Sequence, residues 1–409
     1  MFLFQDEFSG ARQEWDAMIG AAVEFRRTLH ANPELSWREH KTAAAIRSAL
    51  DALQIPWRAC AETGTIGLLA PHAAGRRIAL RADIDALPID EKSGREWSSQ
   101  NDGVMHACGH DGHAASLMAT AVWLKQFEDQ LPGPVSLLYQ PAEEGGHGAK
   151  RMIEDGALEA VDVIFGWHNW PAIPFGKAVC PDGAVMAGNG TFRITLAGKG
   201  GHASQPEACR DPVLAASAVT LALQQIVSRR MAPQSAIVVS VTSINAPGGD
   251  TIIPETATLG GGIRLARAGD REVVNALISD IAEKTAATYG VIASVEHFPR
   301  YDATVNEPAA ASQMRAALKA ELGVDWTSAE TPLPIMASED FSYYLKEKPG
   351  AFALIGAGDG DPHHHVSCHN PEYDFNDRLI PVVAKLFARL AGLPEQAIPH
   401  ADTSNGALS

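Results

Sequence analysis

A nine-residue stretch near the end of the first quarter of the chain concentrates side chains that bind metals. It reads Met105-His-Ala-Cys-Gly-His-Asp-Gly-His113 and holds three His, one Cys and one Asp. Imidazole and thiolate are natural metal donors, and the two Gly let backbone and ligand approach closely. The alternative is a Gly-rich loop whose His side chains are satisfied by backbone groups and water. So many potential donors in so short a stretch favour a metal site over that alternative.

Polar side chains also follow the ends of three predicted strands elsewhere in the first half of the chain. Asp83, the pair Glu143 and Glu144, and His168 each come just past a short apolar run. Taken singly, an acid in such a position is more often a helix N-cap or a turn residue. Because ligands of open α/β sheets bind at the carboxyl edge of the strands, the common placement predicts one shared site.

More donors can be collected at that edge than one ion needs. A catalytic tetrahedral ion takes three protein ligands, whereas a two-metal site takes more and clamps a substrate oxygen between the ions. Glu143 would remain unligated beside Glu144, where it can take a proton from an attacking water. The sequence therefore predicts two divalent ions and a general base. The predicted ligands are Cys108, His110, Glu144, His168 and His369.

The segments around these residues alternate between strands and helices. Residues 114–127 are apolar and Ala-rich without Pro or Gly, which predicts a buried helix preceded by the cluster on a loop. The alternation predicts an α/β fold, with a mixed, largely parallel sheet and helices on both faces. Apolar runs bounded by Gly and Pro predict strands at 65–70, 77–82, 134–141 and 161–166.

From about residue 188 the pattern changes. Residues 191–197 alternate like a half-exposed antiparallel strand. The elements predicted from there to residue 298 have the order β-α-β-β-α-β, which is ferredoxin-like. We therefore predict a catalytic domain formed by residues 1–186 and 299–409, with an inserted α/β domain at 187–298.

The bulk composition excludes several classes of protein. The chain has 409 residues, and its net charge is −16, from 33 basic and 49 acidic side chains. That charge argues against nucleic acid and anionic membranes as partners. The five Cys are odd in number and widely spaced, which argues against a disulfide framework and favours a cytoplasmic location.

Several sequence signals are missing. The first residues lack a basic region, so no secretory signal is expected, and no apolar run reaches the roughly 18–20 residues of a membrane span. The Gly-Lys-Gly at 198–200 lacks the spacing of a phosphate-binding loop, and no GxSxG motif of a serine hydrolase occurs.

Eight motifs run in order along the chain and share one resemblance. They are Arg26-Arg-Thr-Leu-His-Ala-Asn-Pro-Glu-Leu-Ser36, Arg81-Ala-Asp-Ile-Asp-Ala-Leu-Pro88, the stretch 105–113, Gln140-Pro-Ala-Glu-Glu-Gly145, Gly166-Trp-His-Asn169, Gly198-Lys-Gly-Gly-His-Ala-Ser204, Ser338-Glu-Asp-Phe-Ser342 and His369-Asn-Pro-Glu-Tyr-Asp-Phe-Asn-Asp377. Together they resemble the hippurate hydrolase and auxin-conjugate amidohydrolase group of the aminoacylase and carboxypeptidase G metallopeptidase family.

The resemblance implies a metal-dependent amide hydrolase whose inserted domain is a lid that also forms a homodimer. It implies that Glu143 is the general base and that Asp83 orients a ligand His. His202, from the lid of the partner subunit, would stabilise the oxyanion, and Arg264 would bind the substrate carboxylate. Cys108 stands where more distant relatives have a bridging carboxylate. Because a thiolate is softer than a carboxylate, this position leaves Mn, Zn, Ni and Co all open, and Mn or Zn is expected first.

The leading hypothesis is hydrolysis of the amide bond in N-acyl amino acids, hippurate-like or N-acetyl, by a metal-bridged water with Glu143 as base. The alternative among enzymes is a dipeptidase or carboxypeptidase with the same dinuclear site. A non-catalytic metal-binding protein is the alternative of another class, but it has no use for an unligated carboxylate beside Glu144. A structural metal in an oligomeric scaffold would predict loss of the fold on chelation.

Overall fold

The structure, a computed structural model, describes residues 11–399. Its helices are α1 (Ala11–Ala31), α2 (His40–Ala52), α3 (His110–Gln126), α4 (Gly148–Glu154), α5 (Pro212–Leu223), α6 (Asp270–Thr288), α7 (Pro308–Leu322), α8 (Ser342–Glu347) and α9 (Leu379–Leu390), with a π-helical turn at Ile226–Arg230. Its strands are β1 (Trp57–Cys60), β2 (Gly64–Leu69), β3 (Ile78–Asp83), β4 (Val135–Gln140), β5 (Val163–Pro174), β6 (Ala178–Val179), β7 (Gly183–Met186), β8 (Gly188–Ala197), β9 (Gly201–His202), β10 (Ile237–Asn245), β11 (Ile252–Ile253), β12 (Thr256–Leu265), β13 (Ile292–Pro299), β14 (Thr304–Asn306) and β15 (Gly350–Gly358).

The described chain divides into two compact units, and each has its own hydrophobic core. The first unit comprises the described residues up to Val185, the segment Val305–Thr331 and the described residues from Tyr343 onward. The second unit comprises Met186–Thr304 and Pro332–Ser342.

A seven-stranded sheet forms the centre of the first unit, in the order β1-β2-β4-β3-β5-β15-β6. The four strands β4, β3, β5 and β15 run parallel, and the remaining neighbours pair antiparallel. Every residue of β4 and of β15 is buried. Because alternate residues of a strand point to opposite faces, both faces of the sheet are covered in this region. The prediction of a mixed, largely parallel sheet is confirmed.

Helix α3 is buried along most of its length, from His110 to Leu124. An Ala-rich helix without a polar face suits this position, because small side chains allow close packing on all sides. The helix begins at His110, however, and not after the cluster as the sequence suggested. The last donors of the stretch therefore lie on the first helical turn.

Strand β5 also differs from its prediction, which ended the strand before His168. Its pairing with β3 ends at Leu80 and Phe165, but β15 continues beside it and pairs Leu354 with His168. The strand therefore runs on to Pro174, because β15 still supplies hydrogen bonds where β3 has ended.

The second unit contains a four-stranded sheet in the order β10-β12-β8-β13, with all neighbours antiparallel. Helices α5 and α6 pack against each other, and both contribute buried side chains to the core over this sheet. The principal elements follow the order β8-α5-β10-β12-α6-β13, a split β-α-β pattern. Among the described helices of both units, none has the length and apolar character needed to cross a membrane.

Candidate metal centre

The first turn of α3 depends on Gly109. This residue has φ +87°, in the left-handed region, and a Cβ there would lie 2.5 Å from Oδ1 of Asn169 and 2.6 Å from Oη of Tyr373. Only Gly avoids both the strain and the clash. The chain thus turns sharply between Cys108 and His110, two of the predicted ligands.

The five predicted ligands come together in the first unit. The ligand atoms of Cys108, His110 and His168 lie within 4.8 Å of one another, and so do those of Cys108, Glu144 and His369. The two groups share the Cys108 thiol. Two overlapping sets of donors with a common member are the arrangement that a pair of adjacent ions requires.

His110 presents one ring nitrogen to the cluster. Its Nδ1 lies 3.0 Å from the carbonyl oxygen and 3.2 Å from Oδ1 of Asp85, so Nδ1 carries the proton and donates it. Its Nε2 is buried, and no atom of residues 11–399 makes a hydrogen bond with it. Burial lowers the pKa of His110, but the carboxylates of Asp83 and Asp85 raise it to about 10. The surroundings therefore favour a positive charge at this ring, which a metal ion would supply.

His168 lies against the thiol of Cys108. Its Nε2 is 3.3 Å from Sγ of Cys108, and its Nδ1 is 2.7 Å from the carbonyl oxygen of Asn169. Burial, reinforced by neighbouring His rings, holds the pKa of His168 well below its usual range. The ring is therefore neutral, with Nδ1 as donor and the lone pair of Nε2 directed toward the thiol.

Glu144 and His369 form the more open side of the cluster. Nε2 of His369 lies 3.2 Å from Oε1 of Glu144, and the His369 side chain is 53% exposed. The hydrogen bond with Glu144 is the largest cause of the raised pKa of His369. The backbone N–H of His369 donates to the carbonyl of Ala107 at 2.8 Å, which holds this ligand beside the loop that carries Cys108.

Glu143 is buried, with 7% of its surface exposed, and follows the end of β4. A carboxylate oxygen of Glu143 lies within 4.8 Å of the ligand atoms of His110 and Glu144. The residue predicted as general base is therefore adjacent to two of the predicted ligands.

Asp83 makes its hydrogen bonds with His113 and Arg81. Oδ1 of Asp83 lies 2.6 Å from Nδ1 of His113, and its Oδ2 lies 2.6 Å from Nη1 of Arg81. Its closest approach to His110 is 3.7 Å, from Oδ2 to Nε2. Burial raises the pKa of Asp83, but Arg81 and the His rings hold it well below its usual range. The hydrogen bond to Nδ1 of His110 comes from Asp85, two residues further on in the same motif.

Asp85 connects two of the predicted ligands. Besides its contact with His110, its Oδ2 accepts the backbone N–H of Glu144 at 3.0 Å and the hydroxyl of Ser36 at 2.7 Å. Asp85 was not among the predicted site residues, although the paired acids of Asp83-Ile-Asp85 were a visible signal. A second acid at a strand end can accept a hydrogen bond from the ring nitrogen of a ligand His that does not bind the metal.

Replacing Asp85 with Asn is expected to weaken metal binding by about 10- to 100-fold, because the amide keeps the size of the carboxylate but not its charge. Equilibrium dialysis with elemental analysis of the bound metal measures the dissociation constant. Asp129→Asn, at an exposed position, is the matched control and should bind metal as the unmodified chain does. An unchanged dissociation constant in Asp85→Asn would show that Asp85 does not support the site.

A buried polar chain lies next to this cluster. His113 contacts Asp83 through Nδ1, as described above, and its Nε2 lies 2.7 Å from Oδ1 of Asn169. The amide nitrogen of Asn169 in turn donates to Oη of Tyr373 at 2.8 Å. These contacts join β3, α3, β5 and the segment after His369. They fix the elements that carry the predicted ligands.

A buried ion network holds the N-terminus of α3. Oδ2 of Asp111 lies 2.7 Å from Nε of Arg26 and 2.8 Å from Nδ1 of His30. Arg26 also pairs with Asp374. Burial lowers the pKa of His30, but Asp111 raises it to about 9. The motifs around residues 26–36 and 369–377 contained these residues, but spacing alone gave no role for them.

Two predicted residues belong to the second unit. His202 lies exposed on β9, where its Nδ1 is 2.7 Å from Oγ of Ser204 and accepts the backbone N–H of Ser204 at 3.1 Å. Arg264 lies on β12 and donates from Nη1 to Oγ of Ser338 at 3.1 Å. Burial and the nearby Arg300 lower the pKa of Arg264.

The donor chemistry of the cluster fits divalent metal ions. One thiolate, three imidazoles and a carboxylate are ligands of borderline transition metals. Nε2 of His110 makes no hydrogen bond with any described residue and would give its proton up to an ion, and the neutral ring of His168 already has a lone pair on Nε2. Asp83 and Asp85 supply negative charge around the same rings.

Comparisons with known proteins agree with this chemistry. Residues 79–392 match the family model of peptidase family M20/M25/M40. An IAA-amino acid hydrolase, ILR1-like 2, of Arabidopsis thaliana is 40% identical over 390 residues, which cover 94% of this chain and 87% of the relative. A hippurate hydrolase of Campylobacter jejuni is 35% identical over 378 residues, which cover 91% of this chain and 96% of the relative.

A solved structure supports the same assignment. A dinuclear metal-binding peptidase of the M20 family from Bacillus subtilis has a TM-score of 0.80 to this chain at 34% identity. The match covers 92% of this chain and 98% of that structure. The resemblance inferred from the eight motifs is therefore confirmed. The chain belongs to peptidase family M20/M25/M40, and it is a metal-dependent hydrolase of amide bonds.

Proposed function

We propose that this chain hydrolyses the amide bond of N-acyl amino acids and releases a carboxylic acid and a free amino acid. The observation that carries the proposal is the position of Glu143, a buried carboxylate within 4.8 Å of the ligand atoms of His110 and Glu144. A metal-storage site needs ligands but no additional acid at that point. The names of the relatives, hydrolases of IAA–amino acids and of hippurate, favour N-acyl amino acids as the substrate class.

Two divalent ions are held in this proposal by the two overlapping groups of donors that share Cys108. Mn or Zn is expected in this set, with Ni or Co as alternatives, because imidazole and thiolate suit Zn, Ni or Co and the Glu144 carboxylate suits Mn. When bound, such ions lower the pKa of water and polarise the substrate carbonyl. The ligands are Cys108, His110, Glu144, His168 and His369.

Glu143 carries the proton transfers. It accepts a proton from the water that attacks the carbonyl carbon, and it later donates that proton to the amine nitrogen as the C–N bond breaks. Its burial limits competition from bulk water for the carboxylate. Asp83 and Asp85 keep the His rings on α3 oriented, Asp83 through His113 and Asp85 through His110.

The second unit supplies the substrate contacts in this proposal. Because Nδ1 of His202 accepts the backbone N–H of Ser204, the proton of a neutral His202 ring lies on Nε2. Nε2–H can then donate to the oxyanion that forms during attack, in the active site of a partner subunit. Arg264 binds the carboxylate of the amino acid, since a guanidinium forms two parallel hydrogen bonds with it.

A homodimer formed through the second unit, acting as a lid, completes the proposal. Most of the exposed large hydrophobic side chains of the described residues belong to this unit, among them Leu214, Leu221, Ile252 and Ile292. Exposed apolar side chains of this kind are what an interface formed through the second unit would bury. A cytoplasmic location is consistent with five unpaired thiols. Sedimentation at equilibrium would contradict the dimer if it gave the mass of one chain at micromolar concentration.

A hydrolysis screen tests the substrate class directly. The purified chain, supplied with Mn or Zn, is expected to release free amino acid from N-benzoyl, N-acetyl or indole-acetyl amino acids. Chelation should abolish this activity and leave the circular dichroism spectrum largely unchanged, because the first unit has its own extensive core of buried apolar side chains. Cleavage of unblocked dipeptides without cleavage of N-acyl amino acids would contradict the proposal and favour a dipeptidase.

A further inference from the structure

A second cysteine lies beside the predicted metal ligand Cys108. Cys368 immediately precedes His369, whose backbone N–H donates to the carbonyl of Ala107. This hydrogen bond places the two chain segments side by side. Sγ of Cys368 consequently lies 4.0 Å from the carbonyl oxygen of Cys108, against the residue that carries the other thiol. Both residues are free thiols.

Cys368 has no part in the proposed reaction. Within residues 11–399, the groups of donor atoms close enough to share an ion include Cys108 but not Cys368. The amide nitrogen of Asn169 is 3.7 Å from Sγ of Cys368 and holds it next to the cluster. Cys368 is partly exposed, whereas the other four cysteines are buried. The partial exposure of Cys368 is the route by which a small oxidant in solution would reach this pair of thiols.

We propose that Cys108 and Cys368 form a reversible disulfide that removes a sulfur donor from the metal centre. The reaction breaks two S–H bonds and forms one S–S bond. The two electrons and two protons pass to a two-electron oxidant. Hydrogen peroxide is reduced to two water molecules in this step, and diamide is reduced to a hydrazine. The effect on metal binding rests on the proposed role of Cys108 as a ligand, but the formation of the disulfide does not.

Metal and oxidant compete for the same sulfur atom. A Cys108 thiolate that is bound to metal cannot react with the oxidant or with Cys368, whereas the metal-free Cys108 can. Metal loading should therefore slow formation of the disulfide, and formation of the disulfide should release metal. A thiol reductant should restore both the thiols and the metal affinity.

The experiment uses the full chain, metal-loaded and chelated, treated with diamide and then with an alkylating reagent. Mass spectrometry of proteolytic peptides is expected to show a Cys108–Cys368 cross-linked peptide, lighter by two hydrogens than the sum of its parts. The cross-link should form faster in the chelated protein, and elemental analysis should show metal loss that dithiothreitol and added metal reverse. Cys368→Ser should keep its metal under diamide, while Cys209→Ser, at a buried thiol of the second unit, should behave as the unmodified chain does.

Three outcomes would overturn the inference. In the first, Cys368 of the unmodified chain is still fully alkylated after diamide treatment and no cross-linked peptide is found. This result does not depend on how the variants fold. Another is a Cys368→Ser variant that loses metal as readily as the unmodified chain. A cross-link that forms without release of metal would also overturn it, and would remove Cys108 from the proposed ligands. By contrast, suppose that Cys108→Ser loses its metal while the unmodified chain forms no cross-link in diamide. In that case the proposed function stands and this inference alone fails.

Discussion

Glu143→Gln is expected to lower kcat by roughly 10²- to 10⁴-fold while the bound metal stays unchanged. The amide has nearly the size of the carboxylate but cannot accept the proton of the attacking water. Glu143 lies beside the ligand groups of His110 and Glu144 without being needed for either of the two groups that share Cys108. Steady-state kinetics on an N-acyl amino acid, together with elemental analysis of the same sample, separate loss of the base from loss of the ions.

Two matched variants make this test specific. Glu144→Gln should lose metal as well as activity, because the same substitution here removes a ligand. Glu154→Gln, on the exposed end of α4, should change neither. A Glu143→Gln enzyme with kcat near that of the unmodified chain would remove Glu143 from the mechanism. A variant that loses its metal would instead make Glu143 a ligand.

The sequence was most informative where one residue type has one strong chemical use. Clustered His and Cys at 105–113, and acids after predicted strands, indicated a shared metal site before any contact was known. The structure brings several of those donors into groups of three whose ligand atoms lie within 4.8 Å of one another, because β3, β4 and β5 are neighbours in a largely parallel sheet. Alternation of helices and strands predicts parallel strands, whose carboxyl ends meet at one edge of the sheet, so the edge that carries the site was predictable.

The contacts that orient the ligands were not predictable in the same way. Asp83 and Asp85 are two residues apart in one motif, and either could have met His110. Which of them does so depends on the turn after β3 and on Arg81, which pairs with Asp83. The end of β5 was likewise decided by β15, a strand about 180 residues later in the chain. Local propensity carries no information on either point.

The start of α3 depended on a contact of the same long-range kind. Gly109 reads as a flexible loop residue, but Asn169 and Tyr373 crowd its Cα so that no side chain fits. The helix can therefore begin at His110, with the cluster's last donors on its first turn. Asp111 then meets Arg26 and His30. Spacing within a nine-residue stretch could not show that part of the cluster anchors the helix.

Arg26→Met is expected to destabilise the first unit by about 3–5 kcal/mol, the usual cost of breaking a buried ion pair by removing one partner. Asp111 and Asp374, which pair with this guanidinium, have 0% and 2% of their side chains exposed. Met fills much of the volume of the Arg stem but leaves both carboxylates without that cation. The chain offers a matched control in Arg27→Met, because Arg27 is about one-third exposed and pairs with Asp377 near the surface. That substitution should cost about 1–2 kcal/mol at most.

Tryptophan fluorescence during urea unfolding measures this effect in the first unit alone, because all eight Trp residues of the chain lie outside the second unit. Chelator should be present, so that altered metal binding does not contribute.

The pH dependence of the stability loss tests whether its cause is electrostatic. Burial raises the pKa of Asp374, but Arg26 lowers it below its usual range, so the pair stabilises the fold above the unfolded pKa and loses that contribution as the pH falls. The deficit of Arg26→Met should consequently be largest near neutral pH and shrink as the carboxylates become protonated. A deficit that stays constant as the pH falls from 7 to well below the unfolded pKa of an Asp side chain, about 3.9, would instead assign it to packing of the Arg side chain, because lost packing does not titrate.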